Sequence, residues 1–145
     1  MTVFADSSAI VKLYADEAQH AEIRALGAMY VSQMCRVEVP AALWRKNRLG
    51  QLSDEHSRLL VRAFEADLFD GTGPLAALRV TTDLLEAAAT LVSRHGLRAY
   101  DAVQLASALA ARAVDAGCDS LAAFDRELRQ AAVREGFALV PIVIV

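Results

Sequence analysis

The fold is indicated first by residues 3–12, which read VFADSSAIVK. The pattern predicts a strand over residues 2–6, followed by a short helix over residues 8–15. Asp6 stands where the strand ends. If this strand belongs to a parallel sheet, Asp6 lies at the carboxyl edge, where open α/β sheets bind their ligands.

Strands and helices alternate along the rest of the chain. Further strands are predicted over 29–32, near 77–80, over 119–124 and over 137–142, and helices over 20–27, about 33–49, 54–68, 83–95, 100–116 and 126–135. Such alternation predicts an α/β fold with a mostly parallel sheet and right-handed crossovers. The length of 145 residues suits a single domain, over residues 1–145.

The composition excludes a disordered chain and a positive electrostatic field over the whole surface that would attract nucleic acid. The chain is 55% hydrophobic and 23% charged, so it can bury a sizeable core. Its net charge is −3, so any contact with nucleic acid has to be local and metal-assisted.

The cysteines and the two terminal segments indicate the cellular compartment of the protein. Cys35 and Cys118 stand too far apart for a thiolate motif and are expected to be free thiols in a reducing cytosol. We find no signal peptide, and the apolar residues 137–145 are too short to span a bilayer. The expectation is a cytoplasmic protein with no membrane contact.

Four carboxylates, Asp6, Glu38, Asp101 and Asp125, stand at or near the junctions of predicted elements. Singly, each has a structural explanation: Asp6 and Asp125 could cap helices, Asp101 could meet a helix dipole, and Glu38 could pair with Arg36. Jointly these explanations weaken, because the predicted sheet would bring all four acids to one edge. That arrangement is typical of a metal-binding nuclease pocket.

The chain resembles the PIN domain family, and within it the small VapC-type toxins, over essentially its full length. The resemblance lies in residues 3–12, in Ser32 with Glu38, in GLRAYDAVQLA at 96–106 and in FDREL at 124–128. One departure is Ala123, which stands where the family often has Ser or Thr.

The resemblance implies a PIN-like α/β/α sandwich and a metal-dependent endoribonuclease that acts as the toxin of a toxin–antitoxin pair. Carboxylate oxygens suit Mg²⁺ or Mn²⁺, which activates water and neutralises developing charge. By resemblance, Asp6 and Asp101 are the firmest metal ligands, and Glu38 and Asp125 complete the catalytic pocket. The implied partners are an RNA substrate, a second copy in a homodimer, and a small antitoxin whose tail silences the acidic groove.

Three further features have two readings each. Ser7 and Ser8 could cap the first short helix, or both could orient a metal-bound water beside Asp6, with Ser8 also a candidate contact to substrate. Arg98 could grip a substrate phosphate or form an ion pair at the pocket rim. The basic residues after Trp44 could be a solvated helix end or an RNA-binding patch: Arg45, Lys46 and Arg48.

Three other functions remain as alternatives. One is a PIN nuclease for RNA processing without a toxin role. A second is a catalytically inactive dimerising scaffold, which the departure at Ala123 keeps open. The third, a phosphoacceptor receiver, is disfavoured because Asp6 is followed by Ser7 and Ser8 rather than by an acid, and no Lys follows Lys46.

Overall fold

The computed structural model describes residues 2–145 as five strands and seven helices. The strands are β1 (Thr2–Ala5), β2 (Met29–Ser32), β3 (Leu75–Leu78), β4 (Cys118–Ala122) and β5 (Ala138–Val140). The helices are α1 (Ser7–Tyr14), α2 (His20–Arg24), α3 (Cys35–Arg48), α4 (Asp54–Phe69), α5 (Thr82–His95), α6 (Ala99–Val114) and α7 (Arg126–Arg134). None of these helices is both long enough and apolar enough to cross a membrane.

The five strands form one sheet in the order β3-β2-β1-β4-β5, and every pairing is parallel. This confirms the predicted α/β fold. The chain moves outward in one direction from β1 to β3 and in the other through β4 and β5. The reversal lies between β1 and β4, so the carboxyl ends of these two strands border the crevice where such sheets bind ligands. The Asp6 N–H donates to the Ala122 carbonyl at 3.0 Å and joins the two strand ends.

Helices cover both faces of the sheet and make an α/β/α sandwich. On one face, Ile10 of α1, Leu43 of α3 and Phe64 of α4 pack in one buried cluster. On the other, Leu105 of α6 and Leu128 of α7 pack in a second cluster, and α5 contributes to the same layer. Burying a side chain of this size stabilises the fold by about 1.5–3 kcal/mol. The two cores hold the carboxyl edge of the sheet rigidly between the helical layers.

The largest differences from the sequence prediction are a two-residue shift of the whole of β3 and the early end of α2. β3 begins two residues earlier than the predicted strand near 77–80, because the Met29 N–H donates to the Pro74 carbonyl at 2.8 Å and pairing starts directly after that proline. α2 ends at Arg24, three residues before the predicted end, and the last hydrogen bonds of this turn are donated by the N–H groups of Ala25 and Leu26. Neither difference moves a candidate site residue.

Candidate active site

The start of a helix positions each of the four predicted carboxylates. Asp6 is the N-cap of α1, and Asp125 is the N-cap of α7. Glu38 and Asp101 lie in the first turns of α3 and α6. The positive dipole end of a helix favours a carboxylate at each of these positions. The capping role expected as the structural explanation is therefore real for Asp6 and Asp125, and it leaves part of each side chain for chemistry.

Asp6 is the most buried of the four acids, at 5% exposure. Its Oδ1 accepts hydrogen bonds from the Ser8 hydroxyl at 2.6 Å and from the Ala9 N–H at 3.2 Å. Burial raises the pKa of Asp6 to about 7; the Ser8 and Ala9 hydrogen bonds oppose the rise, and the charges of Asp101 and Glu38 add to it. The protein therefore holds Asp6 in a place where its negative charge is poorly compensated.

Ser8 connects the ends of β1 and β4. Its hydroxyl donates to Asp6 and accepts a hydrogen bond from the Phe124 N–H at 3.1 Å. The N-cap of α1 is Asp6, so the expectation that Ser7 and Ser8 cap this helix is wrong. Both partners of Ser8 are protein groups, so the geometry supports a role in positioning Asp6. The predicted contact between Ser8 and substrate stays a prediction.

Glu38 belongs to a polar network that the sequence did not reveal. Its Oε1 accepts from the Ser7 hydroxyl at 3.0 Å and from Gln104 Nε2 at 2.8 Å. Gln104 is 2% exposed, and its Oε1 has no hydrogen-bond partner among residues 2–145. The alternative pairing with Arg36 is not formed, because the Arg36 guanidinium lies 4.7 Å from the centre of the Phe69 ring. Ser7 and Gln104 thus orient Glu38 from α1 and α6.

Arg98 bridges Asp101 and Asp125 at the rim of the pocket. Its Nη2 lies 3.3 Å from Asp101 Oδ2 and 3.1 Å from Asp125 Oδ2. Burial and the charge of Asp125 raise the pKa of Asp101, and Arg98 opposes the rise. The Arg98 side chain is 73% exposed, so it forms the predicted ion pair while it still faces solvent, from where a phosphate would arrive.

The departure at Ala123 lies in the core. Ala123 is fully buried in the cluster under α6 and α7, and its N–H donates to the Val140 carbonyl at 3.2 Å. A hydroxyl at this position would need a buried partner of its own. Asp125 is positioned without a hydroxyl at residue 123, because its Oδ1 accepts a hydrogen bond from the Leu128 N–H at 2.9 Å.

The remaining oxygens test whether this pocket fits a metal ion. Asp6 Oδ2, Glu38 Oε2 and Asp101 Oδ1 accept no hydrogen bond from the described residues. Within that same part of the chain, no group of three or more His, Cys, Asp or Glu side chains is arranged to hold a metal on its own. Mg²⁺ is usually held by one or two carboxylates with several waters, and substrate phosphate completes its shell. The free carboxylate oxygens of Asp6, Glu38 and Asp101 therefore match the oxygen ligands that Mg²⁺ prefers, and the described residues do not form a closed cage.

Comparison with known proteins agrees with this architecture. The model of the family described as PIN domain matches residues 3–134, which confirms the resemblance drawn from the sequence motifs. No curated protein sequence matches the chain.

Three solved structures share the fold. VapC20 of Mycobacterium tuberculosis, described as a sarcin-ricin loop cleaving toxin, is 20% identical, with 89% of this chain and 94% of that one covered and a TM-score of 0.61. PAE2754 of Pyrobaculum aerophilum is 22% identical, with coverages of 97% and 84% and a TM-score of 0.58. A toxin-antitoxin complex from Klebsiella pneumoniae contains a chain 17% identical, with coverages of 99% and 96% and a TM-score of 0.53.

Proposed function

Because this chain belongs to the PIN domain family, we propose that it is a Mg²⁺- or Mn²⁺-dependent endoribonuclease and the toxin of a toxin–antitoxin pair. One observation carries the proposal. Asp6 and Asp101 are held together with raised pKa values, each with an oxygen that no described residue bonds. Carboxylates in that condition attract a cation from outside the protein.

The pocket has a role for each residue in phosphodiester hydrolysis. When bound, a divalent ion supplies an activated water and positive charge for the transition state. Asp6 and Asp101 would hold that ion, and Asp125 would complete the pocket directly or through water. Glu38, oriented by Ser7 and Gln104, would accept the proton of the attacking water on its free Oε2.

Arg98 would act on the substrate side of the pocket. Its guanidinium is largely exposed and bonds Asp101 and Asp125, and no other cation within residues 2–145 bonds any of the four acids. A guanidinium suits the geometry of phosphate oxygens. Arg98 would hold the scissile phosphate against the acidic pocket, which would otherwise repel it.

The toxin assignment is supported by the proteins that share the fold. VapC20 is described as a toxin that cleaves the sarcin-ricin loop, and the Klebsiella structure as a toxin-antitoxin complex. We therefore propose an RNA substrate and a small antitoxin that places an Arg or Lys across the four acids, where it would displace both metal and RNA. We also propose a homodimer, which the molar mass in solution by light scattering would check.

The central experiment is cleavage of an RNA panel that includes structured loops, with Mg²⁺, with Mn²⁺ and with EDTA. We expect cleavage only with metal, and none by Asp6→Ala or Asp101→Ala. Undiminished cutting in EDTA would exclude the metal mechanism. Absence of cutting under every condition would favour the inactive scaffold instead.

The toxin role needs a separate test in cells. Expression of the chain alone should arrest growth, and co-expression of the protein encoded beside it should restore growth. If the chain cuts RNA in vitro but never slows growth, the RNA-processing nuclease without a toxin role becomes the better assignment.

A further inference from the structure

A groove of about 400 Å³ lies between α7 and β5, beginning at the residue that follows Asp125. Its lining carries three guanidinium groups and no carboxylate: Arg126, Arg129, Gln130, Val133, Arg134 and Leu139. This groove, called the α7 groove below, is therefore strongly cationic on a chain whose net charge is −3.

Two of these arginines are unpaired. Arg126, Gln130 and Arg134 are four residues apart on α7, which puts them on one face of the helix. The Cα atoms of Arg126 and Arg134 are separated by about 12 Å along the axis at the usual helical rise. Both side chains are exposed, and neither forms an ion pair or a side-chain hydrogen bond with the rest of residues 2–145.

Arg129 adds a buried charge under the groove. It is 7% exposed, and it donates only to backbone carbonyls: to Ala123 at 2.9 Å, to Pro141 at 2.8 Å and to Ile142 at 3.1 Å. No carboxylate of the described chain neutralises it. A charge that is compensated only by carbonyl dipoles in a poorly hydrated place keeps a long-range positive field.

The acids near α7 do not cancel this field. Glu135, just past the helix, is bonded by Arg94 at 2.8 Å and by His95 at 2.9 Å. Glu127 is outside the lining of the groove. The positive field therefore remains directed into the α7 groove.

We propose that the α7 groove binds the backbone phosphates of the RNA strand on one side of the cut and leads it to the acidic pocket. The inference rests on the proposed nuclease function. Three properties support it: the groove begins next to Asp125, its two exposed arginines have no partner among residues 2–145, and the rest of the chain is on balance negative, which steers a polyanion to it. Gln130 adds a neutral donor and acceptor between the two free arginines.

The other basic cluster of the chain is a poorer candidate. Arg45, Lys46 and Arg48 lie in the last turn of α3, whereas Glu38 lies in its first turn, so about 10 Å of helix separates the cluster from the acids. Lys46 is also already paired with Glu17. This cluster provides the matched control, because Arg45 and Arg48 are also exposed and unpaired in the described chain.

The test compares Arg126→Glu/Arg134→Glu with Arg45→Glu/Arg48→Glu, which change the net charge equally. Single-stranded RNA of about 12 nucleotides, a length within the range that nucleic-acid grooves cover, is titrated at several salt concentrations. An Asp101→Asn background prevents cleavage during binding. We expect the α7 variant to lose about tenfold or more in affinity and to lower the salt slope by about 1.4, the value for two phosphate contacts on a single strand. The α3 variant should match the parent.

Cleavage by the enzyme with its four acids intact provides the second readout. The α7 variant should show a raised KM and little change in kcat on the long RNA, and it should cut a trinucleotide as well as the parent, because so short a substrate fills only the acidic pocket. Arg126→Lys/Arg134→Lys should keep most of the affinity, since the charge remains. Thermal melts of each variant exclude misfolding.

Three results would overturn the inference. The first is an unchanged affinity and salt slope for the α7 variant, and the second is an equal loss for the α3 variant. The third is an unchanged RNA affinity with loss of binding to an acidic protein partner, which would assign the groove to that partner. Failure of the parent to cut the long RNA, the trinucleotide and the RNA panel with metal would instead contradict the proposed nuclease function, so the two failures are distinguishable.

Discussion

Carboxylates lie both in the acidic pocket and in a cluster that Glu135 forms with Arg94 and His95, but their pKa values are shifted in opposite directions. In the pocket, burial raises the pKa of Asp6 to about 7 and also raises that of Asp101. Past the end of α7, hydrogen bonds from His95 and Arg94 lower the pKa of Glu135. Glu135 has a counter-ion in Arg94 and a hydrogen bond from His95, whereas Asp6 has no cation within hydrogen-bonding distance.

The difference separates a structural acid from a site acid. Glu135 joins the end of α7 to Arg94 and His95 at the end of α5, and this contact is structural. Asp6 has no cation beside it, and Asp101 and Asp125 share one arginine, Arg98, so the four acids have a single cation between them. The fold loses stability in the metal-free state as a result. Negative charge that is buried and that nearby cations do not offset therefore distinguishes Asp6 and Asp101 from Glu135.

The largest expected effect is on catalysis. Asp6→Asn and Asp101→Asn should each lower kcat by about 10²–10³-fold or more, because several kcal/mol of transition-state stabilisation depend on the metal that they hold. Glu135→Gln is the matched control, since it makes the same chemical change in the other carboxylate, and it should stay within about twofold of the parent. Comparable losses in all three variants would remove the distinction between the two kinds of acid.

A smaller catalytic effect is expected for Gln104, which positions Glu38. Gln104→Leu removes a hydrogen bond to a charged group and should lower kcat by about tenfold while KM changes little. Stability should not fall to match, because the substitution also removes the unpartnered buried Oε1. Ser107→Ala is the control: it removes a buried hydrogen bond of the same helix that points to the Val103 carbonyl. If Gln104→Leu lowers stability and leaves kcat unchanged, Gln104 is only a core residue.

How far the sequence predicts this site can be judged from the same residues. The four acids could be predicted to meet, because each stands at the start of a helix and parallel strands bring those starts to one edge. The strands themselves followed from short apolar runs. Both features depend on short stretches of the chain, so a single sequence is enough to predict them.

The partners of the acids could not be predicted. Gln104 reaches Glu38 across 66 positions, and Ser8 reaches Phe124 across 116, so both contacts depend on how α6 and β4 pack against the first segment. One signal was present: Gln104 is a polar residue in an apolar helix, three positions after Asp101 and so on the same face.

The third prediction concerns stability without metal. An acid whose folded pKa is raised costs stability above that pKa, and the cost disappears as pH falls through it towards the unfolded value. Metal-free parent protein should therefore become more stable as pH is lowered from about 8 to about 5. Asp101→Asn should be more stable than the parent at the upper pH, by about 1 kcal/mol, and the advantage should shrink at the lower one.

Thermal melts in EDTA, repeated with Mg²⁺, check this prediction. Added Mg²⁺ should stabilise the parent and not Asp101→Asn, which reverses their order. An unchanged or lower melting temperature of Asp101→Asn in EDTA would mean that the loss of its bond to Arg98 outweighs the relief of crowding.

The smallest expected effect concerns Glu135, whose replacement should lower stability at neutral pH, whereas Asp101→Asn should raise it. Its folded pKa is lowered, so it contributes stability above its unfolded pKa, and that contribution is lost as pH falls through the folded value. Glu135→Gln should therefore cost about 0.5–1 kcal/mol at pH 7, a modest amount because solvent and salt screen an ion pair that includes the exposed Arg94. When the pH is taken from 7 to below the lowered folded pKa, the parent carboxylate becomes protonated, and the two proteins should converge. Urea unfolding at both pH values, with a neutral-pH series in 1 M salt, measures the difference. A cost that persists in acid would show that Glu135 acts through packing and not through charge, and the contrast with Asp101 would then rest on the acidic pocket alone.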